Sequence, residues 1–170
     1  STILLANDGP YTLRTTSRAE ASRLVGVDLT IKADLGSRPV IRLARGPGSD
    51  DRASGSTLFD LKGGRLVLDG LELLVDASDR QQPSAAIQSE DTDLTITRCL
   101  IRRSGIGTES APGRAIALRV RSSSRSAVVD LSKVPAATLI DACHIDAGLT
   151  ALATDGPVEV AIRDTTIGPA

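Results

Sequence analysis

"DLTITRCLI", residues Asp93–Ile101, is the stretch whose reading decides the fold. Successive side chains of an extended chain point to opposite sides, so Leu94 and Ile96 share one face and Thr95 and Thr97 the other. The phase then slips: the next apolar residues on the pattern are Cys99 and Ile101. A slip inside an otherwise regular alternation implies a corner, with Cys99 and Ile101 pointing inward from a second short strand.

The same form recurs. "LVLDGLEL" (Leu66–Leu73), "LTITRCLI" (Leu94–Ile101), "TLIDACHI" (Thr138–Ile145) and "VAIRDTTI" (Val160–Ile167) align without a gap. Anchored on Leu68, Ile96, Ile140 and Ile162, the steps are 28, 44 and 22 residues. Repeats of about 20–50 residues signal stacked architectures. The 44-residue step leaves two readings for residues 97–139: a degenerate extra coil around "AIALRVRSS" (Ala115–Ser123), or one long loop. Upstream of each repeat lies a further apolar piece, "TLFDL" (Thr57–Leu61), "AAI" (Ala85–Ile87), "AVVDL" (Ala127–Leu131) and "TALA" (Thr150–Ala153). Each coil is thus expected to hold two or three short strands with bends between. The Gly-, Pro-, Ser- and Asp-rich segments 43–56, 76–84 and 102–114 read as loops leaving one corner. "LTIKADLGSRPVIRL" (Leu29–Leu43) reads as an earlier, looser coil. Residues 1–26 are expected to be irregular, with helix-like "SRAEASRLV" (Ser17–Val25) capping the open end.

This rung pattern resembles that of the right-handed parallel β-helices of the pectate-lyase-like superfamily, over Val27 to Ile167. The resemblance implies an all-β solenoid of short rungs, about 22 residues at the least, forming a single domain over residues 1–170. By the same analogy it implies an extracellular or cell-envelope setting. Right-handed connection between parallel strands is independently the rule. A β-sandwich calls for hairpin turns such as Asn-Gly, and the sequence contains no Asn-Gly pair. The chain opens at Ser1 without Met, so excision from a larger protein is expected.

Composition narrows the function classes. With one Phe, one Tyr, no Trp and no Met, the core must be built from Leu, Ile, Val and Ala, which suits a narrow, layered interior. Lys and Arg total 20 against 21 for Asp and Glu, so no overall field favours nucleic acid or an anionic membrane. No apolar run approaches the roughly 20 residues that span a bilayer.

Cys99 and Cys143 fall at one repeat position and form no CxxC motif. A disulfide or a soft-metal pair is one reading. Burial as interior free thiols is the expected one, because free cysteine is among the most buried residue types. His144 is the only histidine; it stands at an outward position, where exposure is expected, and general-base work is the alternative. Asp141, Arg163 and Asp164 gather on adjacent rungs, where they form either a solvated charge ladder or a site for a sugar. Arg98, Arg102 and Arg103 belong to an arginine-rich part of the chain that suggests a groove for an acidic polysaccharide. Solvated loop arginines are the plainer account.

Enzymes of the resembled superfamily use acidic clusters with calcium, or paired aspartates whose carboxyls lie about 5–9.5 Å apart. None of their catalytic motifs transfers to this chain residue by residue. "SEDTD" (Ser89–Asp93) reads as a turn, and stacking aromatics are limited to Tyr11 and an inward Phe59. The expected function is therefore a non-catalytic structural or binding module without a cofactor. The alternative is a carbohydrate-active enzyme, lyase- or hydrolase-like, or a polysaccharide binder, using Asp141, His144, Arg163 and Asp164, with Ca²⁺ under that reading alone. The C-terminal rung is expected to be covered by more of the chain, a second copy or another protein.

Overall fold

A computed structural model describes residues 1–14, 23–44, 57–76, 84–104, 115–123, 136–146 and 149–168. The described residues are all-β, without a helix, and every pairing between strands is parallel. The strands fall into three columns, visited in a fixed order. The first column holds the N-terminal halves of β3 (Arg23–Ala33) and β5 (Thr57–Asp69), then β7 (Ser84–Glu90), β10 (Ala115–Arg121) and β13 (Thr150–Asp155). The second holds β1 (Thr2–Leu5), the C-terminal halves of β3 and β5, then β8 (Asp93–Thr97), β11 (Ala137–Asp141) and β14 (Glu159–Arg163). These two columns share a nine-stranded sheet. The third is a six-stranded sheet of β2 (Tyr11–Arg14), β4 (Val40–Ala44), β6 (Glu72–Asp76), β9 (Leu100–Ser104), β12 (His144–Asp146) and β15 (Thr166–Gly168).

The register reproduces the gapless alignment of the four repeats. Leu68 pairs with Ile96, Ile96 with Ile140, and Ile140 with Ile162. The 44-residue step is one pass, because β11 lies directly on β8. "AIALRVR" is the first-column strand of that same pass, held between β7 and β13. "AVVDL" (Ala127–Leu131) lies outside the described residues.

The N-terminal part departs from expectation. Residues 1–26 carry β1, β2 and the start of β3, and Arg23–Val25 is strand rather than the end of a helix; residues 15–22 lie outside the described set. β1 and β2 are only four residues each, too short for an alternation to be read from the sequence. Edge pairing to the next pass holds them: Thr2 to Thr30, and Tyr11 to Ile41.

Inward positions form one apolar core, including Leu66, Leu68, Leu73, Ile87, Leu94, Ile96, Ile101, Leu118, Ile140 and Ile145. Phe59 is part of it, in register with Ile87. Each such aliphatic side chain contributes about 1.5–3 kcal/mol by leaving water. Truncating fully buried Ile96 to Ala is expected to cost about 2–5 kcal/mol.

Between columns the backbone turns through left-handed residues. From first to second column these are Gly26, the pair Gly63–Gly64, Asp91 and Gly156, with φ of 61°, 67° and 76°, 50° and 86°. A Cβ on Gly64 would stand 2.6 Å from the backbone nitrogen and oxygen of Val27, whereas one on Gly63 would meet open space. Gly63→Ala should therefore lose only the left-handed penalty, about 1–2 kcal/mol, and Gly64→Ala markedly more. Urea denaturation of the two variants checks that order.

Candidate functional site

The sequence singles out the corner between the second and third columns, and the structure shows what shapes it. After Asp69, Thr97, Asp141 and Arg163 comes a left-handed residue: Gly70 (φ 73°), Arg98 (52°), Ala142 (51°) and Asp164 (43°). The ladder of backbone hydrogen bonds continues through this bend. The N–H of Gly70 donates to the Thr97 carbonyl at 3.0 Å, that of Arg98 to Asp141 at 3.0 Å, and that of Ala142 to Arg163 at 3.1 Å. Two residues later, Leu100 N–H donates to Leu71, His144 N–H to Cys99, and Thr166 N–H to Cys143, each at 2.9 Å.

The residue inside the corner is Leu71, Cys99, Cys143 and Thr165 in successive passes. Small size is therefore not the rule, since Leu71 fits there fully buried. The other three share a donor. The Cys99 thiol donates to the Thr97 carbonyl at 3.2 Å, the Cys143 thiol to Asp141 at 3.2 Å, and the Thr165 hydroxyl to Arg163 at 2.8 Å. Each caps the carbonyl that also receives the N–H from the pass before. Both cysteines are buried free thiols. Contact with Cys143, together with burial, pushes the Cys99 thiol well up, so it stays protonated at neutral pH and is a poor nucleophile.

Outside the corner, charged side chains tie one pass to the next. Arg98 grips Asp69 with Nε to Oδ1 at 2.8 Å and Nη2 to Oδ2 at 2.5 Å, while Thr97 Oγ1 donates to the same carboxylate at 3.0 Å. The Arg98 hydrogen bonds hold the Asp69 carboxyl below its ordinary range, against some desolvation. Arg102 donates through Nε at 3.0 Å and Nη2 at 2.5 Å to Oε1 of Glu72, a carboxylate that is largely buried. On the first column, Arg23 pairs with Glu90, and Lys62 Nζ lies 3.1 Å from the same side chain. Both cations lower the Glu90 pKa.

The remaining sequence candidates are placed as follows. Asp141 and Arg163 are registered neighbours at the ends of β11 and β14, and Asp164 follows at the bend. Asp141 is half-buried, whereas Arg163 and Asp164 are exposed. His144 lies around the corner at the start of β12, between Leu100 and Thr166. It is half-buried rather than exposed, and its Nε2 is covered without a hydrogen-bond partner among the described residues. Arg103 shares its register with the buried Val75, an inward position, so it does not line up with Arg98 and Arg102. Among the described residues no three His, Cys, Asp or Glu side chains converge to hold a metal.

The Arg98–Asp69 and Arg102–Glu72 ties were missed in the sequence, although a signal exists. Their separations, 29 and 30 residues, are the 28-residue step plus one or two.

Fold and corner together define an all-β chain of parallel strands whose polar residues bridge successive passes. No family model, curated protein or solved structure matches the chain. No helix among the described residues is long and apolar enough to cross a membrane.

Three outcomes follow. The depressed Asp69 and Glu90 carboxyls contribute stability that is fully present above the ordinary carboxylate range, about 3.9–4.3, and lost as pH falls through their lower folded values. Asp69→Asn should therefore lower the thermal midpoint at pH 7, with the difference from the parent shrinking as pH falls through the acid range. A thiol reagent should label neither cysteine of the folded chain at pH 7 and both after denaturation. Cys143→Ser, which keeps a donor, should lose less stability than Cys143→Ala.

Proposed function

We propose that this chain is a right-handed parallel β-helix of the pectate-lyase-like kind, serving as a non-catalytic structural or binding module. The three columns, visited in one order with every pairing parallel, support the β-helix reading. Right-handedness follows from the general rule for parallel crossovers.

One observation carries the functional half of the reading: carboxylates that could serve a substrate are engaged between passes. Asp69 is held by Arg98, Glu72 by Arg102, and Glu90 by Arg23 and Lys62. An arginine clamped on a carboxylate is also a weaker ligand for an acidic polysaccharide, since binding must first break the existing pair. Asp141 and Arg163, registered neighbours of opposite charge, fit a ladder in which such a pair adds a fraction of a kcal/mol. A module of this kind presents a stiff rod of defined length, and its end strands are its natural contacts with other chains.

A panel of neutral and acidic polysaccharides, read by ultraviolet absorbance of unsaturated products and by reducing ends, with and without Ca²⁺, should remain blank. Turnover that disappears in Asp141→Asn or Asp164→Asn would overturn the reading in favour of a carbohydrate-active enzyme.

A further inference from the structure

The two ends of the stack differ from its middle. Inward positions in the middle are almost wholly buried, with Ile96 at 0% and Ile140 at 1% exposed. The next residue of that file, Ile162 on β14, is 48% exposed, and Ile167 on β15 is 55% exposed. At the opposite end Ile3 on β1 is 45% exposed. On each end strand one backbone edge has no paired strand among the described residues. Open parallel edges bearing apolar side chains are templates for further strand pairing.

The register states what such a strand must look like. Wherever two charged residues are registered neighbours, their signs are opposite: Arg23 with Asp60, Asp28 with Arg65, Lys32 with Asp69, Arg65 with Asp93, Lys62 with Glu90, Glu90 with Arg121, Arg121 with Asp155, and Asp141 with Arg163. A strand added to β14 should therefore bring an apolar residue over Ile162 and no cation over Arg163. β1 meets both conditions. Its Ile3 belongs to the file Ile31–Leu68–Ile96–Ile140–Ile162, and Leu4 belongs to the file that ends in Arg163. Likewise Tyr11 of β2 belongs to the file that ends in Ile167.

Resting on the structural-module reading, we infer that the partner of the C-terminal strands is a second copy of this chain, its β1 and β2 laid parallel on β14 and β15. The first column has one strand fewer than the others, so there the two copies stand about two strand spacings, ~9.6 Å, apart. Apolar contact is made on the other two columns. The contact joins unlike ends, so it is heterologous and propagates.

The test is sedimentation velocity of the full chain over a thousand-fold concentration range. The parent should grow beyond the dimer. Ile162→Lys blocks one end and Ile3→Lys the other, with Leu4→Lys, an exposed position that sets a cation over Arg163, as a second N-terminal block. Each variant alone should remain monomeric. An equimolar mixture of Ile162→Lys with either N-terminal variant should double in mass and stop, because only one compatible pair of ends remains. A parent that stays monomeric throughout overturns the inference, as does an Ile3→Lys chain that still self-associates through like ends. The polysaccharide panel is read on the same preparations, so loss of this inference leaves the structural-module reading to stand or fall separately.

Discussion

Parallel, in-register pairing carried unbroken through the corners is the constraint on which the rest of this structure depends. In such a stack the neighbour of a residue is the residue at the same position one pass earlier or later. Every position must therefore be compatible with a file of its own kind, about 4.8 Å apart. Inward files meet this with aliphatic side chains, as in Leu68, Ile96 and Ile140. Outward files meet it by alternating charge with opposite charge or with an uncharged residue, since like charges directly opposite one another destabilise a pair of strands.

The corners show the same rule applied to backbone polar groups. A bend removes residues from the regular strand, and buried carbonyls left without partners would be costly. Here the N–H of the left-handed residue reaches the next pass, and a thiol or hydroxyl inside the corner adds a second donor to the same carbonyl. Cys99 and Cys143 thus serve the backbone, and their chemistry is that of hydrogen-bond donors. Arg98, which carries an unfavourable φ, is anchored outside the bend by two hydrogen bonds to Asp69. Of the groups that look most like a site in the sequence, Arg98 and Arg102 hold successive passes together.

Legibility in the sequence followed length and regularity. The second and third columns were readable because "LTITRCLI" and its relatives keep both strands and the corner in one ungapped block. The first column was less so, because long connections of unequal length separate its strands from that block. "AIALRVR" accordingly reads as either an extra coil or part of a loop, whereas β10 sits in the ordinary file between β7 and β13. β1 and β2 escaped because four residues are too few to show an alternation, and pairing to the next pass fixes them as strands. The ion-pair ties escaped because they run diagonally: Asp69 is registered with Thr97, yet bonds the residue after it. His144 looked exposed because outwardness is readable from alternation, while what packs over an outward residue is not.

The central claim is the register itself, and the most direct measurement is a set of inter-strand nuclear Overhauser contacts on isotopically labelled protein. The account predicts backbone contacts of the parallel type linking Leu68 to Ile96, Ile96 to Ile140, and Ile140 to Ile162 in one continuous file. Contacts that instead insert residues 115–121 between Ile96 and Ile140 would contradict it, because the 44-residue step would then contain an additional pass.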